Sequence, residues 1–304
     1  MKKTFQYFYP IIAIILLSLV IIGIRMSPVF SQEPQRSKRE FDVFPVIGHG
    51  SSDTIPEAFL GKLSLFILAG QSNMSGRGDM PAHPQPINPR VFVFGNDYRW
   101  HYAREPMDAA INQVDPVSRD GNAGYSLATA FANTLLKKDS SLIIGFIPCA
   151  RGATSIEKWQ RNLSENSLYG SCLKRARAAS TMGKIVGLLF YQGEADALDP
   201  EVYPQRKPSP FKWAEKFSRF VHDIRSDLGL PNLPIVFAQL SHNKAPKRYV
   251  YWEEVKKQQA KVNLSNVRMV KIPKLVLKDY VHFTKEGYDT IGKLFAEAYW
   301  KLTR

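Results

Sequence analysis

Ser72 carries the hydroxyl group with the clearest potential for nucleophilic chemistry in this sequence. It lies in residues 68–76 (LAGQSNMSG), directly after the stretch at residues 63–69 (LSLFILA), which is apolar apart from one serine. Such a stretch predicts a strand buried on both faces of a parallel sheet, and ligands bind beyond the carboxyl ends of such strands. Gly70 would allow a sharp turn at that point. Ser72 therefore lies where a nucleophile is expected, although a plain turn residue is the alternative interpretation of this segment alone.

A potential base for this serine lies near the other end of the chain, in residues 279–282 (DYVH). At this spacing the Asp279 carboxylate can accept a hydrogen bond from one ring nitrogen of His282. The other ring nitrogen then remains free to take a proton from a serine hydroxyl. A serine needs such a base to attack an ester, and the carboxylate stabilises the imidazolium that forms. An isolated Asp-x-x-His is more commonly a surface loop with a helix-capping Asp, so the pair matters because Ser72 accompanies it.

Three polar clusters could supply the donors that an ester hydrolase needs for an oxyanion. They are residues 121–124 (GNAG), 148–155 (PCARGATS) and 191–196 (YQGEAD). The usual donors are backbone N–H groups or an amide side chain in a dry site. Gln192 follows a predicted buried strand, and Gly124 is expected to open a helix whose free N–H groups point outward. Ordinary loop chemistry is the alternative for each cluster.

The elements that must position these groups alternate along the chain. Apolar stretches predict strands at residues 63–69, 142–147, 186–191, 235–240 and 267–272, with a further short apolar segment at 91–94. Apolar residues at helical spacing predict helices at residues 125–136, 173–182, 210–228, 251–262 and 284–301, and residues 155–158 could open another. This alternation predicts one α/β domain, a three-layer α/β/α sandwich around a central parallel sheet of about five strands.

The first 31 residues predict a signal peptide or an N-terminal membrane anchor. Residues 4–24 are uncharged, with an apolar centre at 11–24 that fits the length of either segment. The segment at 29–31 (VFS) could be cleaved, whereas Arg25 directly after the apolar centre favours retention, so both outcomes stay open. Residues 32–58 are rich in Pro, Ser and charge and predict a linker to a domain at 59–304. The domain is thus expected outside the cytoplasm, secreted, periplasmic or anchored by one transmembrane segment.

The chain is strongly basic, with a formal net charge of +14. The first 31 residues contribute only three basic residues, so the rest still carries +11. A basic surface favours anionic partners such as an acidic polysaccharide or a membrane, while a merely solvated face is the simpler interpretation. No nucleic-acid motif accompanies the charge, so no nucleic-acid partner is expected. The basic residues gather at Lys244, Lys247, Arg248, Lys256, Lys257, Lys261, Lys271, Lys274 and Lys278.

The sequence gives no indication of a metal or another cofactor. Its six histidines form no cluster with metal-ligand spacing, and a glycine-rich phosphate loop is missing. With only Cys149 and Cys172, a disulfide framework is excluded. A single disulfide and two buried free thiols both remain possible interpretations.

Together the motifs resemble the SGNH-hydrolase superfamily, and within it the sialate O-acetylesterase-like domain shared with carbohydrate esterase family 6. The resemblance rests on residues 68–78 (LAGQSNMSGRG), 148–159 (PCARGATSIEKW), 191–197 (YQGEADA) and 279–288 (DYVHFTKEGY). It implies a flavodoxin-like SGNH fold. It also implies that Ser72 is the nucleophile, His282 the base and Asp279 its orienting acid.

The same resemblance implies an oxyanion hole made by the Ser72 N–H, a glycine N–H and the Gln192 side chain. The family's glycine block is similar to Gly-x-Gly-Pro-Gly, whereas this chain has GNAG at residues 121–124. Gly124 aligns best and is the predicted oxyanion glycine. Asn73 is interpreted as a turn-stabilising residue, and Arg151 and Glu194 as residues that pair with each other or support loops.

The sequence thus predicts a serine esterase that removes O-acetyl groups from carbohydrate, such as sialic acid, xylan or another acetylated polysaccharide, through a Ser72 acyl-enzyme. Two alternatives share the fold: a carbohydrate-binding module without turnover and a polysaccharide O-acetyltransferase. An α/β-hydrolase is disfavoured, because its Gly-x-Ser-x-Gly elbow would need glycine where this chain has Met74. The particular glycan and the oligomeric state do not follow from the sequence.

Overall fold

The computed structural model describes residues 54–83 and 86–304. The predicted signal peptide or anchor at 1–31, and residues 32–53 of the predicted linker, lie outside the described residues. Within the described ranges, no helix combines the length and apolar character needed to cross a membrane.

Seven strands form one sheet in the described part of the chain. They are β1 (Leu63–Gly70), β2 (Val91–Phe94), β3 (Trp100–Tyr102), β4 (Ile144–Pro148), β5 (Gly183–Tyr191), β6 (Ile235–Gln239) and β7 (Val267–Lys271). Their spatial order is β3-β2-β4-β1-β5-β6-β7. All neighbours pair in parallel except β2 and β3, which pair antiparallel. The long apolar strand β1 lies at the centre, because strands on both sides satisfy its backbone and helices cover both of its faces.

The sheet has seven strands, so the predicted number of about five was too low. The five predicted strands correspond to β1, β4, β5, β6 and β7, and the additional strands β2 and β3 form one edge. β2 has four residues and β3 has three. Segments this short carry too little periodicity to be separated from loops, and β3 is defined mainly by its antiparallel pairing with β2.

The described residues contain six α-helices, of which five lie between strands and the last follows β7. They are α1 (Ser72–Ser75), α2 (Ala128–Lys138), α3 (Leu168–Ala179), α4 (Trp213–Leu228), α5 (Trp252–Lys261) and α6 (Lys285–Leu302). α3 begins earlier than predicted, because Ser167 caps it by accepting a hydrogen bond from the Gly170 N–H at 2.9 Å. The predicted helix start at residues 155–158 is instead a single 3₁₀ turn, Ile156–Trp159.

Helices cover both faces of the sheet. Phe66 of β1 packs against Phe131 of α2 and Tyr299 of α6, with ring centroids 5.0 and 4.9 Å apart. Phe190 of β5 packs against Phe217 of α4 at 5.2 Å. Phe190 pairs with Ala69 in the sheet, three residues after Phe66, so the two phenylalanines point to opposite faces. This confirms the three-layer α/β/α architecture.

Cys149 and Cys172 are both buried free thiols. The Cys149 thiol lies 4.0 Å from the carbonyl oxygen of Cys172, at the distance of a weak S–H hydrogen bond. Burial raises the pKa of Cys149 well above its ordinary value. Both residues therefore act as small core side chains.

Candidate active site

The chain turns sharply where β1 ends. Gly70 has a φ of 134°, and a Cβ at this position would lie 2.2 Å from the carbonyl oxygen of Tyr191. Only glycine allows this close approach of the two strand ends. The Gln71 N–H then donates to the same Tyr191 carbonyl at 2.8 Å, and the four-residue helix α1 begins at Ser72. The turn lifts Ser72 out of the sheet at its carboxyl edge, as the sequence predicts.

Ser72, His282 and Asp279 form a continuous chain of hydrogen bonds. The Ser72 Oγ lies 2.8 Å from His282 Nε2, and His282 Nδ1 lies 2.7 Å from Asp279 Oδ2. In the tautomer that fits both contacts, Nδ1–H donates to the carboxylate and the serine hydroxyl donates to Nε2. The structure thus brings together three residues that the sequence places at opposite ends of the domain.

The loop that carries His282 is fixed by its own backbone. The N–H groups of Val281 and His282 both donate to Asp279 Oδ1 at 2.9 Å. The two neighbours of His282 in the sequence, Val281 and Phe283, are both buried. Thr284 then caps α6 through the Gly287 N–H. One Asp279 oxygen therefore orders the loop while the other orients the ring.

The electrostatics favour a neutral imidazole beside an ionised carboxylate. Burial lowers the pKa of His282 below its ordinary value, although the hydrogen bond to Asp279 acts in the opposite direction. Burial alone would raise the pKa of Asp279, but hydrogen bonds from the His282 ring and from the two backbone N–H groups lower it overall. A neutral imidazole at neutral pH is free to accept the serine proton.

Asn73 is a structural link rather than the turn-stabilising residue that the sequence suggested. Its Nδ2 donates to the buried carboxyl of Glu194 and to the carbonyl oxygen of Val281, the latter at 3.1 Å. Its Oδ1 accepts a hydrogen bond from the Tyr288 hydroxyl at 2.7 Å. Glu194 thus contacts Asn73, and the suggested pairing with Arg151 is not present among the described contacts. Burial raises the pKa of Glu194 to about 7.

Asp120 is a second organising residue, and sequence reasoning missed it. Its carboxylate accepts hydrogen bonds from Arg77 at 2.7 and 2.9 Å, from the Ser75 hydroxyl at 3.0 Å and from the Gly152 N–H at 2.7 Å. Burial opposes ionisation, but the Arg77 charge and these hydrogen bonds hold the Asp120 pKa below its ordinary value. Asp120 therefore ties the loop after β4 to the segment that carries Ser72.

Gly124 does not open a helix, so this expectation was wrong. Helix α2 begins at Ala128, where the Ser126 hydroxyl accepts the first N–H at 3.1 Å. The Gly124 N–H donates to the carbonyl oxygen of Gly76 at 3.0 Å, next to an isolated antiparallel bridge. The N–H of Gly124, the predicted oxyanion donor, thus already has the Gly76 carbonyl oxygen as its acceptor.

The Gln192 side chain is completely buried, and its amide is also engaged. Nε2 donates to Asp196 at 2.6 Å and to the carbonyl oxygen of Thr154 at 3.0 Å. Oε1 accepts from the Trp213 indole at 2.7 Å. In this arrangement Gln192 braces the loops around the site, and its amide N–H groups already have acceptors within the protein, including Gln71 Oε1 at 3.3 Å.

Ala153 lies in the polar cluster at residues 148–155 that the sequence predicts as a possible source of oxyanion donors, although no prediction singled out Ala153 itself. It has a φ of 60°, and the Cβ position built on the preceding Gly152 lies 3.6 Å from the Ser72 Cβ. Within residues 54–83 and 86–304, neither the Ser72 N–H nor the Ala153 N–H has a hydrogen-bond acceptor. The sequence indicates this cluster at the end of a strand, but its local pattern does not single out the Ala153 N–H.

A cavity of about 220 Å³ opens beside the serine. Ser72, His282 and Ala153 line it together with Arg206 and Arg248. Neither Gly124 nor Gln192 is among its lining residues. Across the described part of the chain, no group of three or more His, Cys, Asp or Glu side chains is arranged to hold a metal ion.

The site has a serine, an imidazole and a carboxylate joined by hydrogen bonds at the end of the central strand of an α/β/α fold. This arrangement is typical of a carboxylic ester hydrolase. Residues 62–301 match the family model described as carbohydrate esterase, sialic acid-specific acetylesterase. The chain belongs to this carbohydrate esterase family and is a carboxylic ester hydrolase.

Relatives agree with this assignment. A probable carbohydrate esterase of Arabidopsis thaliana is 32% identical over 252 residues, which cover 77% of this chain and 89% of the relative. The X-ray structure of the same plant protein superimposes with a TM-score of 0.65 at 30% identity, covering 79% of this chain and 98% of the other.

Two more distant structures share the fold. A carbohydrate acetylesterase from Xanthomonas citri has a TM-score of 0.58 at 18% identity, covering 77% of this chain and 55% of the other. NanS has a TM-score of 0.59 at 16% identity, covering 81% of this chain and 98% of the other.

We predict that Glu194→Gln alters how stability depends on pH. Burial raises the folded-state pKa of Glu194 from 4.5 to about 7. The protonated Glu194 carboxyl therefore contributes fully to the free energy of unfolding below pH 4.5, and this contribution is lost as pH rises through about 7. Glutamine keeps an acceptor for Asn73 but does not ionise. The wild type should therefore lose more unfolding free energy between about pH 5 and pH 8 than Glu194→Gln does. The difference between the two proteins should be roughly 1–3 kcal/mol.

Chemical denaturation at the two pH values measures this difference. Glu201→Gln, at an exposed glutamate, is the matched control and should behave as the wild type. An unchanged pH dependence in Glu194→Gln would show that the buried carboxyl does not take up a proton in this range.

Proposed function

We propose that the protein hydrolyses O-acetyl esters of carbohydrate through an acetyl-enzyme on Ser72. The observation that carries this proposal is the unbroken hydrogen-bond chain from Ser72 Oγ through His282 to Asp279, at 2.8 and 2.7 Å. This geometry suits the activation of a serine hydroxyl. Membership in a carbohydrate esterase family supports the choice of ester.

In the first half-reaction, Ser72 Oγ attacks the acetyl carbonyl carbon while His282 Nε2 takes the hydroxyl proton. Asp279 stabilises the imidazolium without becoming protonated itself. The tetrahedral intermediate then collapses, the bond to the sugar oxygen breaks, and His282 returns its proton to that oxygen. The sugar leaves with a free hydroxyl group, and Ser72 carries the acetyl group.

In the second half-reaction, water takes the place of the sugar hydroxyl. His282 removes a proton from the water as its oxygen attacks the acetyl carbonyl. Collapse of the second tetrahedral intermediate releases acetate, and the proton held by His282 passes to Ser72 Oγ. The enzyme returns to its starting state.

The oxyanion donors that we propose are the N–H groups of Ser72 and Ala153. Both residues line the cavity, and neither N–H has an acceptor among the described residues. Asp120 supports this arrangement, because it binds the Gly152 N–H and so holds the adjacent peptide near Ser72. Such fixed donors stabilise a developing oxyanion by several kcal/mol in typical esterases and proteases, about 2.7–4 kcal/mol for one donor.

We predict that Ser72→Ala lowers kcat at least about 10⁴-fold, because it removes the nucleophile. Asp279→Asn should lower kcat by roughly 10²–10⁴-fold, since the neutral amide no longer stabilises the imidazolium. Acetate release from 4-nitrophenyl acetate, acetylated xylan and acetylated sialic acid measures both effects. Ser241→Ala, at a serine outside the cavity, is the matched control and should retain activity.

Three outcomes distinguish the alternatives. Binding of acetylated glycan without Ser72-dependent acetate release would indicate a binding module. Transfer of acetyl to a glycan hydroxyl in preference to water would indicate an acetyltransferase. Release of acetate that is equally fast in Ser72→Ala would contradict the proposed nucleophile.

We also predict an acid limb in the pH profile of kcat/KM with a midpoint below about 6.5, the ordinary pKa of histidine. Burial lowers the His282 pKa, so the base should stay neutral and active under mildly acidic conditions. In Asp279→Asn the acid limb should move to still lower pH. The Asp279 carboxylate raises the pKa of His282, and the asparagine side chain does not. Initial rates on 4-nitrophenyl acetate between about pH 4 and 8 give both midpoints, and a midpoint above 7 would contradict the account.

A further inference from the structure

Two arginine side chains line the cavity beside Ser72, and neither has an acidic partner in the part of the chain that the structure describes. Arg206 Nη1 donates to the carbonyl oxygen of Ala153 at 3.2 Å. The Arg248 guanidinium lies over the rings of Tyr203 and Tyr249, at 5.9 and 5.6 Å from their centroids. Within the described ranges, neither arginine forms an ion pair. Both are exposed, so each retains donors for a ligand.

The acidic groups that share the cavity are already occupied. Asp279 binds the His282 ring and two backbone N–H groups, and Glu194 is buried against Asn73. Neither carboxyl forms an ion pair with Arg206 or Arg248. Arg77 differs from them, because its guanidinium forms an ion pair with Asp120 and also donates to Ser75 Oγ and to the Gly76 carbonyl. The cavity therefore offers uncompensated positive charge next to the reacting serine.

Arg206 is tied to the residue that carries the proposed oxyanion donor. It binds the Ala153 carbonyl, one peptide unit from the Ala153 N–H. The cavity, at about 220 Å³, is smaller than the roughly 300–1,000 Å³ typical of sites for drug-sized ligands. It suits one sugar unit with its acetyl group. A carboxylate on that unit would lie within reach of the guanidinium groups while the ester lies at Ser72.

The positive charge continues outside the cavity. The Lys244 N–H donates to the carbonyl oxygen of Tyr280 at 2.8 Å, and its ammonium group binds the carbonyl of Leu277 at 3.1 Å, so it is fixed to the loop that carries the base. Burial lowers the pKa of His242, and the charges of Lys274, Lys244 and Lys256 lower it further. Lys244, Lys256 and Lys274 thus lie around His242, and Lys244 is fixed to the loop that contributes Tyr280 and His282 to the cavity.

We propose that the substrate is an acetylated acidic polysaccharide, and that Arg206 and Arg248 bind the carboxylate of the sugar unit whose ester is cleaved. The surrounding lysines bind carboxylates of neighbouring units. Guanidinium groups suit this role because they present paired N–H donors to a carboxylate. This inference rests on the proposed esterase function and adds the substrate class and two specificity-determining residues to it.

The test compares two forms of one substrate that differ only in charge. Acetylated oligogalacturonate carries free carboxylates, and its methyl ester keeps the same acetyl groups without the charge. Full-length wild-type protein should show a kcat/KM on the acid about 10- to 100-fold higher than on the methyl ester, the range expected for charge-assisted hydrogen bonds. Most of this ratio should lie in KM, because the arginines bind substrate rather than the reacting atoms.

The double variant Arg206→Gln/Arg248→Gln should reduce this ratio to near one. Arg248→Lys should retain part of it, because the charge remains but the paired donors are lost. Arg268→Gln, at an exposed arginine of β7 outside the cavity, is the matched control and should keep the wild-type ratio. The preference for the acid should also weaken as salt rises, since part of it comes from the exposed lysines.

The outcomes separate this inference from the esterase proposal. Equal activity of the wild type on acid and methyl ester, or a ratio that survives in the double variant, overturns the role of the two arginines. Ser72-dependent hydrolysis of 4-nitrophenyl acetate without activity on the acidic oligosaccharide overturns the substrate class alone. Absence of Ser72-dependent hydrolysis on every ester overturns the underlying function.

Discussion

The geometry of the site depends on the hydrogen bonds of the Asn73 side chain. Asn73 lies one residue after Ser72 and joins three elements that are far apart in the sequence. Its amide N–H groups donate to Glu194, which follows β5, and to the carbonyl oxygen of Val281, next to His282. Its amide oxygen accepts a hydrogen bond from Tyr288 of α6. Because Asn73 and Ser72 share one turn of helix, these bonds set the distance between the serine and His282.

Asp120 performs the corresponding task on the other side of the serine. Its carboxylate holds Ser75, Arg77 and the Gly152 N–H, and so fixes the loop after β4 beside α1. The two networks leave little freedom to the peptide groups around Ser72. Fixed dipoles of this kind stabilise developing charge without reorganisation during the reaction, which is how a small set of polar groups can supply much of the catalytic effect.

Much of this arrangement could be predicted from the sequence, because its signals are local. Ser72 follows a long apolar strand, and Asp279 and His282 are three residues apart, so their pairing needs no tertiary information. The sequence shows β2 only as a short apolar segment at residues 91–94, and β3 carries too little pattern to be predicted. The roles of Asn73, Glu194 and Asp120 depend on partners more than 40 residues away. The motif predicts Gly124 as the oxyanion glycine. Its N–H instead donates to the Gly76 carbonyl, through a backbone pairing that forms only in the folded chain.

If the acetyl group passes through Ser72, the acetyl-enzyme can be trapped and mapped. 4-Nitrophenyl acetate has a good leaving group, so the acetyl-enzyme should accumulate during turnover. The enzyme would be quenched in acid within the first turnovers, digested and mapped by mass spectrometry. The account predicts one acetyl group on the peptide that contains Ser72, and none in Ser72→Ala. Acetate formation with the acetyl group on another residue, or with no acetylated peptide at any time, would contradict it.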